Sequence, residues 1–304
     1  MTNWLVVLNW NGREDTLALL SDLASANLPD TTLLVVDNGS SDGTLDAVHE
    51  GFPDVRTLQT GDNLGYAGGN NRGIELALSE GAQVVGVLNN DTRVPVGFWP
   101  PLVAAARSGD VAVSPDIRYA GDVDRSWFFG GRAAAHEGLA RHLQPNEQPS
   151  RDRQHLTETL TGCCLVATAA TWRRVGLFDE GLFLVFEDAD WSLRARQRAV
   201  TLLLEPASRI EHKVSRSFIG QQDGAGLYYY CRNGAIFASR WLGPAGTVHF
   251  VFKVLTDGFR EVRRSGASRF RPLAVRVLGL LAAATGQRGP AGPWVGRVSS
   301  RGRQ

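Results

Sequence analysis

The chain is poor in lysine: Lys213 and Lys253 are the only two among 32 basic residues, so its positive charge is nearly all arginine. Cysteine is scarce as well. Cys163, Cys164 and Cys231 include an adjacent pair and match no zinc spacing. So small and odd a count speaks for thiols acting as small apolar residues in a reducing compartment. An excess of charge of one sign is missing too. A net charge of +1 over 304 residues excludes whole-molecule polyelectrolyte binding, and nucleic acid is not an expected partner. No long hydrophobic run is present. The most apolar late segment, 274–285, contains Arg276 and, at about 12 residues, is too short to span a bilayer. The opening MTNWLVVLNWNG lacks a basic n-region and has too short an apolar run for a signal peptide, so a cytoplasmic location is expected. What remains, 43% hydrophobic, suffices for a full core in one large or two small domains.

The residues that are present alternate in kind. Positions 4–8 (WLVVL) form an uninterrupted apolar run, the mark of a buried parallel strand. Asn9, Asn11 and Gly12 break it before Leu17, Leu20, Leu23 and Ala24 recur at helical spacing. Positions 32–36 are a second strand leading into Asp37-Asn38-Gly39-Ser40-Ser41-Asp42-Gly43, where Ser41 or Asp42 can cap the next helix. A weaker strand at 55–58 precedes a loop rich in glycine and asparagine, 61–73, which runs into a helix. Positions 84–88 are a fourth buried strand, followed at once by Asn89, Asn90 and Asp91. Pro95 suits the start of a helix over about 96–106, and a strand at 111–114 closes the regular part. This spacing gives an α/β fold, a mostly parallel sheet with helices on both faces. Residues 115–155 lose the pattern and read as an irregular insertion. It returns with an apolar run at 162–167, a helix to about 175, an acidic helix start at Glu187-Asp188-Ala189-Asp190-Trp191, and a last strand at 201–204.

Four acidic or polar clusters stand at predicted strand exits: Asp37, Asp62-Asn63, Asp91 and Glu187-Asp188. Those exits share one edge of a parallel sheet, so the clusters are expected to converge on one crevice, where α/β proteins bind ligands. Each alone reads as turn chemistry; four together do not. Asp37 suits an acid that accepts hydrogen bonds from a base or a ribose hydroxyl. Asn9, Asn11, Asn90, Asp62-Asn63-Leu64-Gly65 and Gly68-Gly69-Asn70 offer polar side chains and close backbone approach to a nucleotide. Asp91 is a hard oxygen ligand for Mg2+ or Mn2+, ions that keep several waters and hold a diphosphate with one or two carboxylates. His212 is a candidate second ligand, acceptable to Mn2+. Glu187, Asp188 and Asp190 open a helix, where negative charge is favoured. They point in different directions, so one is expected to face the crevice as a base while another holds the helix end.

After Glu211-His212 the character changes. Residues 1–217 read as the catalytic domain and 218–286 as a helical extension, with helices at 227–241 and 247–263. From Lys253 onward eleven Lys or Arg stand against Asp257 and Glu261, interleaved with apolar residues such as Phe252, Phe259, Phe270 and Leu281. The segment reads either as a basic amphipathic surface on the inner face of an anionic membrane or as a hairpin packing on the α/β domain, with oligomer contact a further use. Residues 287–304 are expected to form a disordered tail.

Taken in order, VVLNWNG (6–12), VVDNGSSDGT (35–44), DNLGYAGGNNRG (62–73), LNNDT (88–92), GCCLVATAATWRRVGLFDEGLFLVFEDADWSLRARQRA (162–199), EHKVSRS (211–217) and YYYCRN (228–233) resemble the family 2 inverting glycosyltransferases, especially their rhamnosyltransferase-like branch. The resemblance covers roughly residues 4–240. It implies an A-type glycosyltransferase fold, a divalent cation (Mg2+ or Mn2+), and a nucleoside diphosphate sugar donor, dTDP-rhamnose or a UDP-sugar. Transfer with inversion would go to a hydroxyl acceptor on a glycan, a lipid-linked glycan or a natural product. By position, the resemblance puts Asp37 on the nucleoside and Asn89-Asn90-Asp91 at the metal-binding Asp-x-Asp. It makes Asp188, beside Glu187, the general base, places His212 on the metal, and sets Trp191 with Arg232-Asn233 on the acceptor side. Asn89 departs from the pattern and removes one carboxylate from the metal site.

Two rivals explain less. A nucleotidyltransferase making a sugar nucleotide needs a basic, glycine-rich turn near the N-terminus, and NWNGREDT (9–16) offers one arginine and one glycine. A non-catalytic binding protein has no use for Glu187-Asp188.

Overall fold

The computed structural model describes residues 2–134, 139–214, 224–265 and 270–292. The end of the EHKVSRS stretch (215–217) and most of the expected disordered tail (293–304) lie outside the described residues. The chain forms two compact units, one of Met1–Arg132, His142–Asp179 and Asp188–Lys213, the other of Ala133–Arg141, Glu180–Glu187 and Val214–Gln304.

The first unit is built on a mixed sheet. β1 (Asn3–Asn9), α1 (Arg13–Ser25), β2 (Thr31–Asp37), α2 (Thr44–Gly51), β3 (Arg56–Gln59), α3 (Gly65–Ser79) and β4 (Val84–Asn89) alternate as expected. The four strands run parallel in the order β3-β2-β1-β4. Leu5, Val6, Val7, Val35, Val85 and Val87 have no solvent exposure, and each such side chain stabilises the fold by roughly 1.5–3 kcal/mol on burial. Next come β5 (Thr92–Arg93), α4 (Trp99–Arg107), β6 (Val111–Tyr119), β7 (Asp122–Phe128), β8 (Gly131–Ala134), β9 (Leu139–His142), β10 (His155–Leu156), β11 (Cys164–Thr168), α5 (Ala169–Val175), α6 (Glu187–Gln197) and β12 (Thr201–His212). The sheet order is β10-β12-β6-β11-β4-β1-β2-β3, with β5 on β12 and β7 on β6, while β8 and β9 pair with each other. β11 lies antiparallel between β4 and β6, and β12 is parallel to β6. The parallel strands β1 to β4, together with β6 and β12, therefore end on one edge, and β11 begins there.

Several local expectations change. Residues 115–155 hold the second half of β6 and β7 to β10; these strands are short or face water along β7, so no apolar run marks them. The last strand does not stop at Leu204. It continues to His212 through a register shift between Glu205 and Arg209. That bulge takes up Pro206, whose missing N–H a regular ladder would not tolerate, and Glu205 Oε1 accepts the Ala207 N–H at 2.9 Å. α4 starts at Trp99 with Pro100 in its first turn, not after Pro95. Gly68, Gly69 and Asn70 lie inside α3, not in a loop. A Cβ at Gly69 would stand 2.4 Å from Leu8 Cδ1, and one at Gly73 2.4 Å from Val6 Cγ1. Those glycines let the helix lie directly on the sheet.

In the second unit α7 (Ala225–Phe237), a π-helical turn at Ala238–Leu242, α8 (Gly243–Ser265) and α9 (Phe270–Ala284) share a core that includes Tyr228, Cys231, Phe250 and Val254. No described helix is long and apolar enough to cross a membrane. Arg232 and Asn233 are buried and turn onto the backbone of 181–185. Asn233 Nδ2 donates to the carbonyls of Leu182 (2.6 Å), Leu184 (2.7 Å) and Val185 (3.2 Å). Arg232 donates to Leu182 O (3.2 Å) and Gly289 O (2.7 Å), with its guanidinium 5.0 Å above the Tyr229 ring. The backbone so held is strained: Phe183, Val185 and Phe186 have φ of 64°, 72° and 74°, and the left-handed region costs a bulky residue roughly 1–3 kcal/mol. Residues 287–292, expected to be disordered, are pinned by backbone hydrogen bonds that leave no apolar pattern. Gly289 N–H donates to Gly181 O, and Ala291 N–H to Tyr229 Oη, both at 2.7 Å.

A Gly73→Ala substitution, with its new methyl 2.4 Å from Val6 and 2.8 Å from Val36, is expected to destabilise the protein by about 1–3 kcal/mol through overpacking. Urea unfolding measures it. An unchanged midpoint would contradict the α3–sheet contact described here.

Candidate active site

Asn9, at the end of β1, is fully buried and its hydrogen-bonding capacity is used up. Its Nδ2 donates to Asp37 Oδ1 (2.9 Å) and Ser40 Oγ (3.0 Å). Its Oδ1 accepts from Gly12 N–H (3.1 Å), Thr16 Oγ1 (2.9 Å) and Asn90 Nδ2 (3.2 Å). One amide thus ties the ends of β1, β2 and β4 to the start of α1. Asp37 is buried and also accepts the Ser40 N–H at 3.2 Å. Asn11 is exposed, and its Oδ1 accepts the Ser41 N–H at 2.9 Å. The next loop is tied similarly: Asn38 Nδ2 donates to Asn63 Oδ1 (3.1 Å) and Gly65 O (3.0 Å), while Asn63 Oδ1 accepts the Gly65 N–H at 2.8 Å. Asp62 stands exposed beside them. Asn70 is buried; its Nδ2 donates to Tyr66 O at 3.0 Å, and its Oδ1 has no hydrogen-bond partner, a rare state for an interior amide.

Asp91 follows β4, and its Oδ1 lies 3.0 Å from Nε2 of His212 at the end of β12. The residues are 121 positions apart and meet because β5 pairs with β12, with His212 opposite Thr92. Both are buried, and His212 Nδ1 has no hydrogen-bond partner. A carboxylate oxygen and an imidazole in contact, with one ring nitrogen orphaned, fit a hard divalent ion in part. Among the described residues no group of three His, Cys, Asp or Glu side chains gathers. Such ions usually complete their shell with water and diphosphate oxygens, so two protein ligands are enough. Asn90 turns its amide the other way, to Asn9 and to Thr16 Oγ1 at 3.0 Å.

Asp188 reaches the same edge by way of β11. Its Oδ2 accepts the Gly162 N–H at 2.9 Å and its Oδ1 the Ala189 N–H at 2.7 Å. Gly162 is required there, because a Cβ would stand 2.6 Å from Tyr66 Oη. Burial pushes the Asp188 carboxyl above the ordinary aspartate range, in spite of those two N–H donors. The neighbouring Cys163 thiol is pushed far up by burial first, then by the negative charges of Asp91 and Asp188. It lies within electrostatic reach of both carboxylates, and its carbonyl accepts the Asn89 N–H at 2.9 Å.

His142, at the end of β9, is a site residue the sequence does not reveal. Its Nδ1 donates to Trp127 O at 3.1 Å. The Trp127 ring meets His142 at 4.8 Å and His212 at 4.3 Å, both edge-on. Burial pushes His142 below its usual value, the Asp188 charge opposes the shift and His212 adds to it. Trp127 and His142 both fall in 115–155, where aromatic residues amid glycine and arginine are the only signal.

The remaining expected site residues are buried. Asp190 is buried and bonds Arg194 at 2.9 Å, which in turn donates to Val175 O and Leu177 O; it secures the helix start. Glu187, also buried, opens α6 and belongs to the other compact unit. Trp191, expected on the acceptor side, is fully buried: its Nε1 donates to Gly176 O at 2.8 Å and its ring packs 4.7 Å from Trp172. Arg232 and Asn233, expected there too, direct their donors to backbone carbonyls of 181–185 and Gly289. Aromatic and polar residues in a motif read alike whether they face a ligand or the chain itself.

A mixed sheet of this order, with an antiparallel β11 inside it, defines an A-type glycosyltransferase fold. Residues 4–175 match the Glycosyl transferase family 2 model, and the chain belongs to that family. An N-acetylglucosaminyl-diphospho-decaprenol L-rhamnosyltransferase from Mycobacterium tuberculosis is 31% identical over 224 residues, covering 65% of this chain and 71% of that one. Among solved structures, GalNAc-T7 with UDP, GalNAc and Mn2+ aligns with TM-score 0.60 at 17% identity, over 89% of this chain and 55% of that one. The mannosyltransferase PcManGT from Pyrobaculum calidifontis, in complex with GDP-Man and Mn2+, aligns with TM-score 0.56 at 16% identity, over 94% and 86%. At those identities the likeness is one of fold. The chain spans little more than half the length of the first structure.

Trp191→Phe is expected to lower stability by about 1–3 kcal/mol and leave the acceptor KM unchanged. Thermal unfolding and steady-state kinetics check it; a raised acceptor KM in a fully stable variant would return Trp191 to the acceptor side.

Proposed function

We propose that this glycosyltransferase is a metal-dependent, inverting enzyme that moves rhamnose or a similar hexose from a nucleoside diphosphate sugar to a hydroxyl of a lipid-linked glycan. The observation that carries the reading is the raised Asp188 carboxyl, held on Gly162 at the edge where Asp91 meets His212. The preferred donor is dTDP-rhamnose, with a UDP-sugar next; its rhamnose is supported by the name of the mycobacterial relative, a diphospho-decaprenol L-rhamnosyltransferase. The same name favours a lipid-linked acceptor over a soluble natural product.

Asp37, fixed by Asn9, contacts the nucleoside, with Asn11, Asn63 and Asn70 along the donor path. Asp188 takes the proton from the acceptor hydroxyl as that oxygen attacks the anomeric carbon. A carboxyl raised by burial is better matched to this proton than an exposed aspartate. With one base and no covalent nucleophile, the configuration inverts. Asp91 and His212 would hold a divalent ion through one oxygen and one nitrogen. When bound, that ion offsets the charge developing on the departing diphosphate.

Asp188→Asn is expected to reduce transfer by about 10²–10⁴-fold while a thermal-shift titration gives the wild-type affinity for the donor. Full activity in this variant would remove Asp188 as the base. In the wild type, kcat/KM falls as pH drops through the Asp188 pKa, because only the deprotonated carboxylate accepts a proton. The acid limb therefore lies above the roughly 3.9 of a free aspartate. EDTA stops turnover and Mn2+ or Mg2+ restores it; an EDTA-resistant enzyme would end the metal role of Asp91. A screen of dTDP-, UDP- and GDP-sugars identifies the donor, since a ligand that binds only the folded state raises its apparent stability.

A further inference from the structure

α8 and α9 each bury one face and leave the other bare. On α8, Phe250 and Val254 are buried, while Val248, Phe252 and Phe259 are 69%, 68% and 57% exposed. On α9, Val275 and Ala282 are buried, while Phe270, Val277 and Leu281 are 58%, 37% and 55% exposed. Steps of four and seven residues put each trio on one helix face. Eleven large hydrophobic residues are exposed among the described ones, and seven of them lie on these two helices. That clustering is a patch, not the usual single-residue scatter.

Charge accompanies the patch. Residues 243–284 carry seven Lys or Arg against Asp257 and Glu261, and Lys253, Arg260 and Arg263 fall along one side of the α8 stripe. Bare phenylalanines beside a cationic border are what an interfacial helix needs: apolar side chains for the acyl boundary and basic groups for lipid phosphates. We propose that this face of α8 and α9 lies on an anionic phospholipid surface. A second copy of the chain is the poorer occupant, because a two-fold contact would set the cationic border against itself. Neither helix is long and apolar enough to cross the bilayer, so the attachment is in the plane of the membrane. The inference rests on the lipid-linked acceptor for its use, yet its test needs neither donor nor acceptor, so the two readings fail separately.

The test is flotation of the full chain with vesicles of equal parts phosphatidylglycerol and phosphatidylcholine, against phosphatidylcholine alone. Binding to the anionic vesicles is expected, weakening as salt screens the charges. A Phe252→Glu, Phe259→Glu double variant is expected to bind at least about tenfold more weakly. Both side chains are exposed, and circular dichroism checks that the variant keeps its fold. Arg260→Glu with Arg263→Glu gives a second loss that touches no apolar residue. The proposal is overturned if the wild type does not float with anionic vesicles, or if the variants float as it does. It is equally overturned if sedimentation velocity shows a dimer that Phe252→Glu, Phe259→Glu dissolves while neither protein binds lipid.

Discussion

The site edge depends on the side-chain amide of Asn9. Where parallel strands end, ladder hydrogen bonds stop and polar groups crowd together away from water. Each one left without a partner would cost about 1–3 kcal/mol. Asn9 meets the side chains of Asp37, Ser40, Thr16 and Asn90 and the backbone of Gly12 at once. With no donor or acceptor to spare, it acts by fixing its neighbours: Asp37 is aimed, Asn90 is drawn inward, and Asp91 is left to turn toward His212. The order of residues after β4 thus sorts itself, the amide of Asn90 turned to Asn9 and the carboxylate of Asp91 turned to His212.

The same crowding gives Asn89 a physical reason. The charges of Asp91 and Asp188 already raise the Cys163 thiol, and burial already raises Asp188. A third carboxylate at 89, two residues from Asp91, would push these acids further toward their neutral forms. With asparagine at 89 the site edge carries one negative charge fewer. His142, held neutral by burial, adds no positive charge of its own to that balance.

How much of this was legible depends on where the information lies along the chain. The runs 4–8, 32–36 and 84–88 announced buried parallel strands because both faces of each strand are apolar. Asp37 and Asp91 stand out in the sequence because they lie just past such runs, whereas Asp188, expected at a strand exit, lies at the start of α6 with no strand before it. His212 was legible by residue type and through resemblance, but not by position, since the sequence gives no sign that β5 would pair with β12. Trp127 and His142 were missed because water-facing strands of a few residues have no run to read. Trp191, Arg232 and Asn233, expected on the acceptor side, are buried. Their residue types suit a binding surface, yet the nearest acceptors for their N–H groups are carbonyls of the chain itself.

The left-handed backbone at Phe183, Val185 and Phe186 has a consequence for what counts as the smallest working piece of this protein. Nothing in those three side chains favours the conformation, so the instruction for it is stored fifty positions downstream, in the guanidinium and amide of Arg232 and Asn233. A fragment ending after His212 would contain the whole stretch that matches the family and every carboxylate of the site. It would nevertheless lose the residues that dictate how the chain approaches Glu187. The second unit is in that sense a template for its own segment Glu180–Glu187, which cannot shape itself.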